Sequence, residues 1–262
     1  MNVEKRKKWR NRGIFLLALV AALAGSFQYI SSYSTVSGNV NGREMPICSV
    51  EMEEKKVALT FDAAWGNEDT TRLLEILEKH HVQATFFMTG DWVEKYPKEV
   101  LAIKEAGHDL ANHSETHRSM IWLDKEEVKK EVLDVHEKVL ELAEVEMRLF
   151  RVPYDNYDDD VIRVIQACGY YPIQWSVNSL DWKDYGAENI IETVLGSAEL
   201  KNGAIILLHN GTKYTADALD GLLTELEKKG YQMVPVSKLI YKKGYYLDAA
   251  GRQLKKSKKG SR

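Results

Sequence analysis

Two histidines lie four residues apart in the segment His113-Ser114-Glu115-Thr116-His117. On a helical turn, two imidazoles at this spacing face the same side, as chelation of a metal ion requires. The segment is not the His-Glu-x-x-His pattern of metalloproteases, because Ser114 stands where the general-base glutamate should be. Seven histidines in 262 residues produce such a pair by chance about 0.2 times. The pair alone therefore leaves a metal site and a structural role equally open.

Other charged residues follow runs of apolar residues, at points where a strand would end. Asp62 follows one such run, and we favour a catalytic carboxylate there over a helix cap. Arg151 either is solvated or pairs with Asp62, which would keep the carboxylate ionised. His209 follows Ile205-Ile206-Leu207-Leu208, and we favour a position at the rim of a fold over that of a hydrogen-bonded core histidine.

Strand and helix patterns alternate along the chain from residue 56 onward. Seven segments have the composition of buried strands: Lys56–Asp62, Ala84–Met88, His108–Ala111, Arg148–Val152, Tyr171–Ser176, Ala204–Leu208 and Gln232–Pro235. Six segments between them have the pattern of helices: Thr70–His80, Val93–Ala106, Lys125–Ala143, Asp159–Cys168, Ala187–Leu195 and Ala216–Lys229. This alternation predicts a parallel sheet with helical crossovers. Because no glycine-rich nucleotide-binding loop follows a strand, we favour a barrel over an open sheet.

A parallel barrel would bring the scattered polar residues to one rim, because the loops after its strands converge there. Eight residues are expected at this rim: Asp62, Asn112, His113, His117, Arg151, Asp181, Trp182 and His209. Five tryptophans offer flat surfaces for sugar rings or belong to the core: Trp65, Trp92, Trp122, Trp175 and Trp182. The rarest ionisable residue types of the chain therefore recur at one predicted edge of the fold.

The order of these residues resembles the five-motif series of the polysaccharide deacetylases, the NodB-homology carbohydrate esterases of family 4. The five motifs are Thr60-Phe61-Asp62, His113-Ser114-x-x-His117, Arg151-Val152-Pro153-Tyr154, Asp181-Trp182 and Leu207-Leu208-His209. Five motifs in order are far more specific than any one of them. The resemblance implies an α/β fold, a distorted (β/α)7 barrel. Ala64-Trp65-Gly66 and the N-terminal segment are most similar to the sporulation-associated branch.

The resemblance implies metal-assisted hydrolysis of N-acetyl groups on an amino-sugar polymer. Asp62 would be the general base that activates water, and His209 the general acid that protonates the leaving amine. His113 and His117 would hold a divalent cation, usually Zn²⁺, that polarises the acetyl carbonyl. The polymer would be peptidoglycan or another glycan of the cell wall or spore cortex.

The resemblance also implies supporting roles for five further residues. Arg151 would orient the general base, and Asp181 would hold the general acid in its charged form. The backbone N–H of Tyr154 would help to stabilise the oxyanion. Leu207 would line the slot for the acetyl methyl group, and Trp182 would contact the sugar.

One position departs from the family pattern. Ala63 stands where the family has a second aspartate, which is the third metal ligand, and a catalytic zinc site usually has three protein ligands. Four other carboxylates are candidate substitutes: Glu68, Asp69, Glu115 and Asp155. Two hypotheses therefore stay open. Either the protein is a working deacetylase with a weak or rearranged metal site, or it is a degenerate barrel that binds glycan or a sporulation partner without turnover.

Both ends of the chain are basic, whereas its centre is acidic. The whole chain has a net charge of −3, but residues 25–251 hold 24 basic against 38 acidic residues, a balance of −14. Because nucleic-acid binding depends on neutralising phosphates with basic side chains, we predict no nucleic-acid partner. Cys48 and Cys168 are too few for a disulfide scaffold and are expected to be free thiols.

The sequence also predicts how the chain is divided. Residues 1–30 combine a cationic cluster with a short apolar run, as in a signal peptide or membrane anchor, so we expect an extracytoplasmic protein, including the spore envelope among its locations. We expect residues 31–54 to be a polar tether, residues 55–245 the deacetylase domain and residues 246–262 a basic tail. The oligomeric state is left open.

Overall fold

The computed structural model describes residues 39–40 and 42–256. The strands in these residues are β1 (Asn39–Val40), β2 (Arg43–Glu44), β3 (Ser49–Val50), β4 (Lys56–Ala63), β5 (Thr85–Met88), β6 (Asp109–Asn112), β7 (Leu149–Phe150), β8 (Tyr171–Pro172), β9 (Val177–Asn178), β10 (Ile205–His209), β11 (Gln232–Met233), β12 (Tyr245–Leu247) and β13 (Arg252–Lys255). The helices are α1 (Thr70–Lys79), α2 (Gly90–Lys95), α3 (Pro97–Glu105), α4 (Lys125–Ala143), α5 (Asp159–Ala167), α6 (Ala187–Leu195), α7 (Thr215–Lys228) and α8 (Val236–Leu239). Three short 3₁₀ turns lie at Met120–Trp122, Pro153–Asp155 and Asp181–Lys183.

The central sheet is parallel and curls into a partial barrel. Its strand order is β8-β7-β6-β5-β4-β10-β9, and β11 pairs with the beginning of β4. On β4, Leu59 and Phe61 pack in the hydrophobic core with the helices, whereas Ala58 contributes to a second core with Phe87 and Ile205. Successive side chains of a strand point to opposite faces, so these two cores lie outside and inside the curl. The predicted α/β fold with alternating strands and helices is confirmed.

The predicted strand Tyr171–Ser176 is a strand only at its first two residues, β8, and a second short strand, β9, begins after its end. Its first part, β8, pairs with β7, whereas the following β9 pairs with β10 at the other end of the sheet. Between them the N–H of Ser176 donates to the carbonyl of Ile205 at 3.0 Å. One extended segment therefore begins at one end strand of the curled sheet and finishes at the other, which a strand pattern read locally cannot reveal.

The predicted helix Val93–Ala106 is also two elements, α2 and α3. Pro97 is the first residue of α3, and proline has no N–H to donate to the preceding turn, so a single helix cannot run through it. The long helix α4 has the bounds that the sequence predicts. Asp124 and Glu127 form a reciprocal capping box at its N-terminus, with distances of 2.9 and 3.0 Å.

The sheet structure extends beyond both predicted limits of the 55–245 domain. Strand β3, from the expected tether, pairs with β13, from the expected basic tail, and β13 pairs with β12. The buried Gln253 joins this small sheet to Tyr241, whose N–H and carbonyl it binds at 2.8 and 2.9 Å. The expected signal or anchor, residues 1–30, lies outside the described residues. Among the helices that the structure describes, each is too short or too polar to cross a bilayer.

Candidate active site

The register of the two central strands places the first and last motifs side by side. Asp62, the residue before the last of β4, is the pairing partner of His209 at the end of β10. Asp62 lies on the same face of β4 as Ala58, which belongs to the inner core. The apolar strands therefore deliver both polar side chains to the inside of the curl at the carboxyl edge of the sheet.

Arg151 holds the carboxylate of Asp62 inside the fold. Its Nη1 donates to Oδ1 of Asp62 at 2.6 Å and to Oγ1 of Thr60 at 2.9 Å. The guanidinium is fully buried and lies 4.1 Å from the ring centroid of Phe87. Burial by itself would raise the pKa of Asp62, but the charge and hydrogen bond of Arg151 outweigh it and leave that pKa lowered. Asp62 is therefore an ionised base.

The two motif histidines meet, although not on a helical turn. Residues 113–117 form a loop in which Ser114 and His117 have positive φ angles of 71° and 56°. Asn112 Oδ1 accepts from the N–H of Ser114 at 2.9 Å, and Ser114 Oγ accepts from the N–H of His117 at 3.0 Å. These bonds fold the loop back so that the Nε2 atoms of His113 and His117 are 3.2 Å apart.

Both imidazoles are neutral, which is the protonation state in which histidine binds a metal ion. The Nδ1–H of His113 donates to the carbonyl of Arg151 at 2.8 Å, which leaves the Nε2 lone pair free. Burial lowers the pKa of His113, and it lowers the pKa of His117 to about 4. Both rings are therefore neutral at physiological pH. The Nε2 of His113 is also 3.4 Å from Oδ2 of Asp62.

The donor set is nevertheless smaller than a complete zinc site needs. Within residues 39–40 and 42–256, no group of three or more His, Cys, Asp or Glu side chains is arranged to hold a metal ion. Ala63 is fully buried and packs in the outer core. The four candidate substitutes, Glu68, Asp69, Glu115 and Asp155, do not line the cavity that holds the histidines. Two imidazoles fit part of a catalytic zinc site, which usually has three protein ligands.

His209 is held by Asp181. The Nδ1 of His209 is 2.7 Å from Oδ1 of Asp181, and its backbone N–H donates to Oδ2 at 2.7 Å. The hydroxyl of Thr215 donates to the same Oδ2 at 2.6 Å. Burial by itself would lower the pKa of His209, but the hydrogen bond and charge of Asp181 outweigh it and leave that pKa raised. The imidazolium form is therefore favoured, with its Nε2–H available as a proton donor.

These residues surround one cavity of about 420 Å³. Its lining is Asp62, Trp65, His113, His117, Val152, Tyr154, Trp175, Asn178, Trp182, Leu207 and His209. Seven of the nine residues that the sequence nominated are in this lining, and the other two, Arg151 and Asp181, contact lining residues from behind. The predicted convergence of the motifs is what the structure shows.

Other contacts were not foreseen from the sequence. Tyr154, nominated for its backbone N–H, has a φ of 61° and places its hydroxyl 3.0 Å from Nδ1 of His117. Thr60 and Thr215 support the two buried ion pairs. Thr60 belongs to the first motif without a predicted role, and no local pattern marks Thr215. Of the five tryptophans, Trp92 is a core residue that is 1% exposed. Trp122 is 81% exposed but does not line the cavity.

The fold and this site define a class of protein. Residues 49–173 match the family described as polysaccharide deacetylase. The chain is 31% identical over 195 residues to the peptidoglycan-N-acetylmuramic acid deacetylase PdaA of Bacillus subtilis, covering 73% of each protein. It therefore belongs to the polysaccharide deacetylase family, and the family prediction is confirmed.

The relatives include proteins described as deacetylases and one described as a pseudoenzyme. The chain is 31% identical over 189 residues to a peptidoglycan-N-acetylglucosamine deacetylase of Bacillus cereus, covering 71% of this chain and 68% of the relative. The wild-type structure of BA3943 from Bacillus anthracis, described as a CE4 family pseudoenzyme, superposes with a TM-score of 0.72 at 32% identity, covering 75% and 69% of the two chains. A BA3943 mutant described as having restored enzymatic activity superposes with a TM-score of 0.72 at 33% identity, covering 75% and 71%.

Proposed function

We propose that this protein hydrolyses N-acetyl groups on an amino-sugar polymer of the cell wall, releasing acetate and leaving the free amine. The observation that carries the proposal is the pair of ionisable groups lining one cavity. Asp62 has a lowered pKa and His209 a raised one, each because of a buried partner of opposite charge. Environments that drive two pKa values apart assign a base and an acid.

The roles of the residues follow from these charge states. The ionised carboxylate of Asp62 takes the proton of the attacking water, while the imidazolium of His209 gives a proton to the nitrogen of the leaving amine. Leu207 and Trp175 provide apolar lining for the acetyl methyl group. The backbone N–H of Tyr154 is our candidate for stabilising the oxyanion, and Trp182 offers an indole face to the sugar.

His113 and His117 are the residues that would hold a metal ion. Nitrogen ligands of this kind suit Zn²⁺, the ion that the family resemblance implies. Because the described residues supply only part of a zinc site, we expect zinc binding to be weak. Ala63→Asp tests this expectation, because it supplies a carboxylate at the position of the missing ligand.

The choice of polymer comes from the relatives and from charge. PdaA and the Bacillus cereus protein are both described as acting on amino sugars of peptidoglycan. The acidic centre of this chain, with a balance of −14 over residues 25–251, disfavours a phosphate-rich polymer. We therefore propose peptidoglycan, including spore cortex, as the substrate. Export or anchoring by residues 1–30 would place the protein outside the cytoplasm.

Acetate release is the direct experiment. The full chain, with and without added Zn²⁺ or Co²⁺, is incubated with N-acetylglucosamine oligomers or peptidoglycan fragments, and acetate is measured. We expect release that is lost in both Asp62→Asn and His209→Ala. Release that persists in both variants would contradict the assigned roles.

A second candidate function is binding of the same glycan without turnover. The incomplete donor set around His113 and His117 and the similarity to a described pseudoenzyme favour it. The two candidates differ in one measurement. Glycan oligomers that bind the purified protein while no acetate appears, with metal content near zero, would establish the binding function.

A further inference from the structure

Trp65 stands between the candidate active-site cavity and a second groove beside it. Its ring centroid is 5.3 Å from that of His209 and 6.2 Å from that of His117. Its side chain is 49% exposed. Trp65 and Trp182 line both the cavity and a neighbouring groove of about 780 Å³. The two indoles therefore form the wall between adjacent depressions.

The turn that carries Trp65 is fastened by the residue after the proposed general acid. Asn210 is fully buried, and its Nδ2 donates to Oδ1 of Asp69 at 2.8 Å and to the carbonyl of Gly66 at 3.4 Å. Its Oδ1 accepts from the hydroxyl of Thr70 at 2.9 Å. The N–H of Gly211 donates to the same Oδ1 of Asp69 at 2.8 Å. The loop after β10 and the turn after β4 are thus one hydrogen-bonded unit.

The side chain of Asp69 binds the loop after β10 and does not cap its own helix, α1. Asp69 is the N-cap residue of α1, where an aspartate side chain ordinarily accepts from an N–H of the first turn. Here the side chain makes no cap bond. Its Oδ2 is buried without a partner among the described residues, and burial raises the pKa of Asp69 to about 6. The carboxylate is therefore held at an unfavourable position, which indicates that its bonds to the neighbouring loop matter.

Close packing of Gly211 against Gly66 also holds the loop after β10 against the turn after β4. Gly211 has a φ of +86°, and a Cβ added to it would lie 2.8 Å from the backbone N and 3.0 Å from the carbonyl oxygen of Gly66. From another side, the Nε1–H of Trp92 donates to the carbonyl of Gly66 at 3.0 Å. The residue directly after Trp65 is therefore fixed by contacts from two parts of the chain.

We propose that Asn210 and Asp69 are positioning residues that hold Trp65 as a wall, so that a glycan chain binds across it. One sugar occupies the cavity and the next sugar occupies the groove, against the other side of the indole. Aromatic faces stack on sugar rings, and the groove adds polar side chains for hydroxyl groups: Glu68, Asp184 and Lys213. The ligand is an amino-sugar oligomer of at least two residues, and the proposal rests on the glycan function proposed above.

Chain-length dependence of binding is the test. Calorimetry compares the affinity of the full chain for N-acetylglucosamine with its affinity for the β-1,4-linked tetramer, so turnover is not required. We expect the tetramer to bind about tenfold or more tightly, the effect of one stacked aromatic contact with its buried area. Trp65→Ala, Asn210→Ala and Asp69→Ala should each remove most of this advantage.

The double variant separates positioning from a general structural role. If Asn210 acts through Trp65, adding Asn210→Ala to Trp65→Ala causes no further loss of tetramer affinity. Asp69→Asn keeps an acceptor oxygen and should restore the advantage that Asp69→Ala loses. Asn202→Ala is the matched control. Asn202 also donates a side-chain hydrogen bond, to the carbonyl of Glu53 at 2.8 Å, but it precedes the N-terminal end of β10, whereas Asn210 follows the C-terminal end. Asn202→Ala should leave the tetramer advantage unchanged.

Each outcome decides the proposal. Losses that multiply in the double variant, or a tetramer advantage that survives Trp65→Ala, would overturn it while the glycan function stands. If neither saccharide binds the wild-type chain, both the glycan function and this proposal are overturned. If Asn210→Ala does not fold, Asp69→Ala combined with Trp65→Ala decides between the same two outcomes, because Asp69 also lines the groove and a direct sugar contact would add a further loss.

Discussion

At the level of single residues, the proposed chemistry depends on two ionisable groups whose neighbours shift their pKa values in opposite directions. Arg151 stabilises the charged form of Asp62, and Asp181 stabilises the charged form of His209. The base must be deprotonated and the acid protonated, so activity should be high between the two pKa values. These lie below the ordinary aspartate value of 3.8 and above the ordinary histidine value of 6.5.

Asp181→Asn should lower the upper limit of the pH range in which the protein is active. The variant removes the charge that raises the pKa of His209, so burial then dominates and the imidazole loses its proton at lower pH. We expect the alkaline limb of kcat/KM to move to lower pH and its maximum to fall roughly 10²- to 10⁴-fold. The check is the pH profile of acetate release for wild type and variant. An alkaline limb at the wild-type position would mean that Asp181 does not set the charge of the acid.

Ala63→Asp tests whether a carboxylate at position 63 can act as the missing third metal ligand. Ala63 is fully buried, so without metal a carboxylate there should destabilise the protein by roughly 3–5 kcal/mol, the cost of an unpaired buried charge. If the new carboxylate turns from the outer core towards His113 and His117 and completes a site with them, Zn²⁺ should restore stability and increase both metal affinity and turnover. Thermal unfolding with and without Zn²⁺ measures this, with wild type as the control. A variant that is equally destabilised with and without Zn²⁺ would show that position 63 does not face the histidines.

At the level of elements, a buried side chain reinforces the pairing of the parallel strands β5 and β6. His108, beside β6, accepts a hydrogen bond at Nδ1 from the N–H of Ala84, beside β5, at 3.1 Å. Its side chain is buried, and burial lowers the pKa of His108 to about 4. The folded protein therefore prefers the neutral ring. Protonation ends the acceptor role of Nδ1 and places a charge in the core.

The pH dependence of stability follows from the sign of this shift. Since the folded-state pKa lies below the ordinary value of 6.5, the stabilisation is complete above that pH and is lost as the pH falls towards about 4. His108→Asn keeps an acceptor but cannot be protonated. We expect the stability advantage of wild type over this variant to shrink by roughly 2–3 kcal/mol between pH 6.5 and pH 4. Urea unfolding at both pH values checks it, and a constant difference would exclude His108 as the titrating group.

At the level of the whole molecule, residues distant in sequence close the domain. The β3–β13–β12 sheet joins segments that lie about two hundred residues apart, and Gln253 is fully buried within it. Removing its amide leaves the N–H and carbonyl of Tyr241 without these partners. We expect Gln253→Ala to lower the unfolding free energy by roughly 1–3 kcal/mol.

Gln232→Ala is the matched control for this prediction. Gln232 also lies on a short strand, but its side chain is exposed, so the change should stay within about 0.5 kcal/mol. Denaturant unfolding of both variants gives the comparison. Equal losses would show that the terminal sheet does not depend on the buried amide.

The sequence by itself determined the α/β fold class, the family and a set of polar residues that converge on one cavity. Apolar runs that end in Asp62 and His209, together with the motif order, predict a parallel α/β fold with a hydrolytic rim, and the family is confirmed. This was possible because strand composition and motif spacing are local properties. A run of a few residues is enough to predict an element and the side chain at its end.

Only the tertiary structure decided how those residues are held. The loop that brings His113 and His117 together, the segment that reaches both end strands and the Asn210–Asp69 contact all depend on partners chosen by packing. Asp69 shows the limit most clearly, because its sequence position predicts a helix cap and its carboxylate binds a loop 141 residues away. Hydrogen-bond partners across a curled sheet are set by register and burial, and neither is encoded within a short stretch of chain.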